Sequence, residues 1–405
     1  MTNLTDELAW RGFKNQTTLK DLSVLDNQKI TFYWGVDPSS DSMHIGHLAM
    51  AIMVRHFINA GHQPILLVGG ATGLIGDPDG KTEERELKTV EEINHNKQAI
   101  VAQYHKIFDG VDFAVVDNYD WFKEIKFVDF LRDYGKNFSL TQLLDRDFVK
   151  SRTGEGGSGI SYAEFSYSLI QGYDFLHLFR EKGVTLQVAG SDQWGNSLSG
   201  VELIRKVEGK EAHVYTAPLI INKTTGKKFG KTEEGAVWLD EKKTSVYQFY
   251  QFWLNIDDNE AIDYLKIYTD LSRDQIERLG RESVSSPSER AAQKALAFEV
   301  TKLVHGRERA ENVQKVTEVL FGDNSSVSQL DQNQLELLSG EIPTASFGNV
   351  GDRLVEAGLV SSKGEFRRLL EGGAITINGQ RASEDSDVSE ISLIKKGKNS
   401  FLLVR

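Results

Sequence analysis

Apolar, β-branched runs alternate with longer segments of helical period through the first half of the chain. KITFYWGV (29–36), PILLVGG (64–70), VDFAVVD (111–117) and VTLQVAG (184–190) read as strands. Strands that are apolar almost throughout have both faces covered, as in a parallel sheet between helical layers. Ligands in such sheets bind beyond the carboxyl ends of the strands. The polar segments DPSSDSMHIGH (37–47), ATGLIGDPDGK (71–81) and GSDQWGN (190–196) are therefore expected to meet in one crevice.

From about residue 244 to 321 the pattern is helical only, with Pro287 placed to open a helix after SVSS (283–286). Residues 322–344 read as a linker, because GDNSSVSQLDQNQ (322–334) is mostly polar. A small α+β unit is expected over 345–405. There SKGE (362–365) is a capping box opening the helix KGEFRRLLEGG (363–373), which Gly372 and Gly373 stop. AITINGQRA (374–382) reads as a strand with an Asn-Gly turn.

Composition narrows the chemistry. The 405 residues include no cysteine, so disulfides and thiolate metal sites are excluded. The start of the chain is polar, and no run is apolar enough to cross a membrane, so a cytoplasmic protein is expected. Net charge is −12, yet residues 340–405 carry nine basic and nine acidic groups. The excess negative charge lies entirely before that segment, and a polyanionic partner would have to meet local basic clusters.

His44 and His47 fall in the first turn of an expected helix, on one face. Unpaired backbone N–H groups and the positive end of the helix dipole suit a phosphate there, and the imidazoles can add donors. Gly46 would let a flat base or ribose lie against the backbone. A metal pair lacks a completing ligand set, so no metal site is expected. The second candidate is GKKFGKT (226–232), where Lys227, Lys228 and Lys231 sit between glycines. Such a loop, often only a solvated turn, can close over a triphosphate and neutralise charge on leaving pyrophosphate. A third pattern lies on SYAEFSYSLIQGYDFLHLF (161–179), where Tyr167, Gln171 and Asp174 share one helical face. That stripe either faces solvent or lines a polar cavity.

His44-Ile45-Gly46-His47 and Lys228-Phe229-Gly230-Lys231-Thr232 resemble the HIGH and KMSKS motifs of class I aminoacyl-tRNA synthetases. YWGVDPSSDSMHIGH, GGATGLIGDPDGK, EFSYSLIQGYDF, GSDQWGN and KFGKT, in that order, are similar to the bacterial tyrosyl-tRNA synthetases over nearly the whole chain. The resemblance implies a Rossmann-like catalytic domain over 1–225 with a helical insertion near 118–160. A lysine-motif loop (226–243), a helical tRNA-binding domain (244–321), the linker and a small ribosomal-protein-like RNA-binding domain (345–405) would follow. It implies activation of tyrosine by ATP with Mg2+ and no tightly bound cofactor, then transfer to tRNA(Tyr). Members of the family act as homodimers.

Residue by residue, the resemblance gives Tyr167, Gln171 and Asp77 to the substrate ammonium, and Tyr33 and Asp174 to its phenolic hydroxyl. Ser39, His44, His47, Lys81, Arg85, Lys228 and Lys231 go to the phosphates, Asp192 to the ribose, and Gln193 near the reacting carboxylate. Gly35, Asp37, Gly46, Gly190 and Thr232 complete the ATP site. Trp34 departs from a smaller residue close to the ribose, and Phe229 and Gly230 depart from the Met and Ser of the general lysine motif. In the tail, Arg353, Lys363, Arg367 and Arg368 form a candidate tRNA phosphate site. A tryptophanyl-tRNA synthetase, another nucleotidyltransferase and a non-catalytic RNA-binding relative are the competing readings.

Overall fold

The expected strands form one parallel sheet. In the computed structural model, which describes residues 3–78, 86–223, 226, 228–232, 235–322 and 326–405, they are β1 (Thr31–Val36), β2 (Gln63–Val68), β3 (Ala114–Asp117) and β4 (Leu186–Gly190). A fifth, β5 (His213–Ala217), was hidden in the sequence, being short and preceded by the charged stretch KVEGKE (206–211). The order is β3-β2-β1-β4-β5, all parallel, a doubly wound arrangement. The order of the strands reverses between β1 and β4, with successive strands added on opposite sides, which makes their carboxyl ends the topological switch point.

Helices Ile45–Asn59, Val90–Ile107, Tyr162–Lys182 and Trp194–Glu208 belong to the same unit. Alternation along β1 sends successive side chains to opposite faces. Tyr33 joins the core of Ile65, Phe175, Leu176 and Val214. Trp34 instead packs against Tyr104 and Phe108, with ring centroids 5.5 and 6.3 Å away. Its indole is thus buried against aromatic rings of the helix Val90–Ile107 and its C-cap, Phe108, which accounts for its size. Gly35, though in the central strand, is exposed and leaves bare backbone next to them.

The chain divides into two compact units, residues 1–243 with 257–292 and residues 244–256 with 293–405. The helical stretch 244–321 is therefore shared between them. Helices Asp258–Tyr268 and Arg273–Ser285 stay with the sheet unit, because buried Arg11 donates to the carbonyls of Lys266, Thr269 and Leu271 at 2.6–2.8 Å. Pro287 opens a single 3-10 turn, Pro287–Glu289, and the following helix starts at Ala291 after Arg290 at positive φ.

In the second unit, residues 322–344 hold more than a linker. Asp331 caps a helix, Gln332–Glu341, by accepting from the Gln334 N–H at 2.9 Å. Its polar face masked an apolar stripe in which Leu338 is fully buried. Leu338 shares a core with Val316, Val319 and Leu320 and with Leu393, Phe401 and Leu403 from the tail. The tail sheet runs Gln380–Arg381, Ile375–Ile377, Ser392–Lys396, Ser400–Val404, Thr344–Ala345. Asn378 and Gly379 have φ of 47° and 82°, the left-handed pair that a two-residue hairpin turn needs. Ser362 caps the helix Lys363–Glu371, but Glu365 reaches the Ser361 N–H and hydroxyl instead of closing the box. No described helix is long and apolar enough to cross a membrane.

Candidate active site

The histidine helix starts differently from the expectation. His44 is its N-cap, and its Nδ1 accepts from the Gly46 N–H at 3.0 Å, while the His47 Nδ1 accepts from the His44 N–H at 3.2 Å. The Ile45 N–H bonds the Val237 carbonyl, and the His47 and Leu48 N–H groups bond the His44 carbonyl. The amides thought open to a phosphate are thus used inside the protein. The donors move to the side chains. With Nδ1 accepting, each neutral ring carries its proton on Nε2. Burial, then the neighbouring His44, holds the His47 pKa well below its ordinary value, so His47 stays neutral.

The lysine loop is built onto this helix start. The backbones of His44 and Trp238 form an antiparallel bridge, and the Val237 N–H donates to the Gly230 carbonyl at 3.0 Å. Phe229 is buried and stacks on Tyr264 with centroids 4.2 Å apart. Gly230 has φ +86°, and a Cβ there would come within 2.4 Å of Ile45 Cγ1. Phe229 and Gly230 are therefore a stacking anchor and a contact that admits no side chain. The Lys228 ammonium lies 3.8 Å from Asp192, so the loop reaches the end of β4. For Lys231 and Thr232 the structure gives only a short strand paired with Gly235–Ala236. Lys81, Arg85 and Lys227 lie outside the described residues.

The helix Tyr162–Lys182 carries the polar stripe inward. Tyr167 and Asp174 are buried, Gln171 is half-buried, and Ser161 with Glu164 closes the capping box. The Tyr167 hydroxyl donates to Asp37 at 2.7 Å, and Thr72 donates to the other Asp37 oxygen at 2.6 Å. Deeper in, Asp174 accepts from the Trp121 indole N–H at 2.9 Å and the Asn118 amide at 3.0 Å. Burial pushes the Asp174 pKa well above the ordinary carboxylate range, against those two donors. The Tyr33 hydroxyl is buried with no hydrogen-bond partner among the described residues, and burial, then Asp174, raises its pKa.

At the front, the Gln193 amide donates to Asp77 at 2.6 Å, which brings the ends of β4 and β2 together. Ser39 sits in the turn after β1, its N–H on the Asp37 carbonyl at 2.8 Å. A Cβ at Gly190 would meet Asp192 at 2.6 Å. Sequence reading missed Thr72, Asn118, Trp121 and Asn196. Their signal was position, since Asn118 directly follows β3. The tail cations lie on the helices Val350–Glu356 and Lys363–Glu371. Arg353 pairs with Glu356, Lys363 with Asp352 and Arg367 with Glu384, whereas Arg368 is exposed with no ion pair among the described residues.

A doubly wound sheet with paired histidines and a lysine loop at its switch point is the architecture of a class I nucleotide-activating enzyme. Residues 25–322 match the family model for class I tRNA synthetases (W and Y), and the chain belongs to that family. Residues 352–390 match the S4 domain. The chain is 44% identical over 422 aligned positions to tyrosine–tRNA ligase 2 of Bacillus thuringiensis, covering all of this chain and 99% of the relative. It is likewise 44% identical over 420 positions to the tyrosine–tRNA ligase of Latilactobacillus sakei, with the same coverage. Among solved structures, a C-terminally truncated mitochondrial tyrosyl-tRNA synthetase of Aspergillus nidulans superposes with a TM-score of 0.71 at 29% identity, covering 79% of this chain and 95% of that one.

Proposed function

We propose that this chain is a tyrosine–tRNA ligase: it joins tyrosine to ATP as tyrosyl-adenylate with release of pyrophosphate, then transfers the tyrosyl group to the terminal ribose of tRNA(Tyr). The observation that carries the choice of amino acid is the buried Tyr33 hydroxyl, without a hydrogen-bond partner among the described residues, beside the buried Asp174. A substrate phenol donates to Asp174 and accepts from Tyr33, satisfying both. Phenylalanine satisfies neither, and an indole N–H, a donor only, cannot accept from the Tyr33 hydroxyl while it donates to Asp174. That logic weighs against tryptophan.

Tyr167, Gln171 and Asp77 hold the ammonium, with Asp37 fixing the Tyr167 hydroxyl. Gln193 meets the reacting carboxylate. That carboxylate attacks the α-phosphate directly and needs no general base, so catalysis is positioning plus stabilisation of charge. Neutral His44 and His47 donate through Nε2 to phosphate oxygens, and Lys228 and Lys231, with Ser39, Lys81 and Arg85, meet the charge gathering on pyrophosphate. Gly35 and Gly46 leave room for the nucleoside against bare backbone, and Asp192, Gly190, Asp37 and Thr232 line its ribose and phosphates. Magnesium enters with ATP as part of the substrate. No group of three His, Cys, Asp or Glu side chains among the described residues could hold an ion.

The enzyme works in the cytoplasm as a homodimer. Support for pairing comes from the apolar side chains that the insertion leaves exposed, Phe127 at 65%, Val128 at 71% and Leu140 at 61%. The tail binds tRNA through Arg368, with Arg353, Lys363 and Arg367 giving up their carboxylate partners. Exchange of labelled pyrophosphate into ATP tests the reading. Tyrosine alone among the twenty amino acids should drive it, and exchange driven by tryptophan would overturn it.

A further inference from the structure

One arginine from the helical insertion reaches the polar groups beside the crevice. Arg146 donates to the Ser168 hydroxyl, to the Gly195 carbonyl at 2.8 Å, to Ser199 at 2.6 Å and to the Asn196 amide oxygen at 3.2 Å. That oxygen also accepts from Ser168 at 2.8 Å. Asn196 is buried, and its amide nitrogen donates to Gln193 Oε1 at 3.2 Å. Gln193 in turn donates to Asp77.

The direction of this chain is dictated by chemistry. A guanidinium has donors only, so the Asn196 oxygen must face it. The Asn196 nitrogen must then face Gln193, which presents its oxygen and is left with its nitrogen toward Asp77. Turning any amide over would set donor against donor. We propose that Arg146 and Asn196 are positioning residues for adenylate formation: through a one-way chain of hydrogen bonds they fix which end of the Gln193 amide faces Asp77 and the substrate. Neither was singled out in the sequence, since Arg146 lies forty-seven positions before Gln193 and on a different element.

This inference rests on the proposed role of Gln193 at the reacting carboxylate. The decisive variant is Asn196→Asp, which keeps the shape and the pairing with Arg146 but cannot donate to Gln193. Adenylate formation should slow about tenfold, the worth of one hydrogen bond, with the melting temperature held or raised by the new ion pair. Arg146→Lys keeps a donor-only cation and should retain more of the rate than Arg146→Met. Gln193→Ala, alone and with Asn196→Asp, separates the two ideas. If Gln193→Ala leaves adenylate formation intact, the role given to Gln193 is wrong. If Gln193→Ala slows it while Asn196→Asp does not, or if the two losses simply multiply in the double variant, the positioning chain is wrong. A double variant no slower than Gln193→Ala supports it.

Discussion

The rear and the mouth of this crevice use charge in opposite ways. At the rear, Asp174 is 2% exposed and held by Asn118 and Trp121, beside a hydroxyl with no partner among the described residues. At the mouth, Lys228 and Asp192 are 49% and 37% exposed and stand 3.8 Å apart, where water screens them. A dry, fixed carboxylate penalises any ligand that leaves it unmatched, so on the proposed reading the rear chooses the amino acid. A wet, adjustable lysine can follow charge as it develops, so on the proposed reading the mouth sets the rate.

The division breaks first at the mouth. Lys231→Ala should slow adenylate formation by roughly a hundredfold or more, with tyrosine affinity nearly unchanged. Single-turnover rates beside equilibrium binding would show it, and a matching loss of tyrosine affinity would erase the distinction. At the rear, Tyr33→Phe and Asp174→Ala should each cut discrimination between tyrosine and phenylalanine by about tenfold. Tyr33→Phe carries a second signature. It removes a buried group without a partner among the described residues, so the free protein should melt no lower than the parent, measured calorimetrically.

Titration sharpens the contrast, because the two ends shift in opposite senses. The Asp174 pKa is raised by burial, so its neutral form favours the fold below the ordinary carboxylate value of 3.8, and that stability is lost as pH rises toward the folded value. The His47 pKa is lowered by burial, so stability is full above 6.5 and is lost as pH falls toward the folded value. Melting temperature against pH should therefore lose part of its decline above pH 3.8 in Asp174→Asn and part of its acid-side decline in His47→Gln. The smallest effect belongs to the tail. Arg368→Glu should raise the KM for tRNA several-fold and lower the salt dependence of charging by about one counterion, with pyrophosphate exchange untouched.

Much of this was legible in the sequence where local pattern and local chemistry agree. The four apolar runs and the Asn-Gly turn depend on neighbours a few residues away, and they stand as read, whereas the capping box read at Ser362 keeps only its serine half. The polar stripe on the helix 162–182 could be seen but not its inward direction, which Asn118 and Trp121 decide from some fifty residues away. The open amides at His44 were a fair inference from any helix start. They failed because the loop carrying Val237 returns nearly two hundred residues later to accept one of them. The segment 322–344 misled for another reason: Leu338 has meaning only beside Leu393 and Phe401. For that reason, removing 345–405 would strip a shared core as well as a binding surface, and a point charge change is the cleaner probe of the tail.

Gly230 touches Ile45, so the two signature motifs of the site are in physical contact. Their spellings are therefore not independent. Rewriting Gly230 as the serine of the general motif would force a side chain into Ile45 and onto a backbone angle of +86° that disfavours it. Such a change becomes tolerable only with a smaller residue at 45 and a local shift of the loop. Across relatives, drift in one signature should drag the other with it, and a laboratory graft of the common lysine motif into this chain should fail unless both are exchanged together.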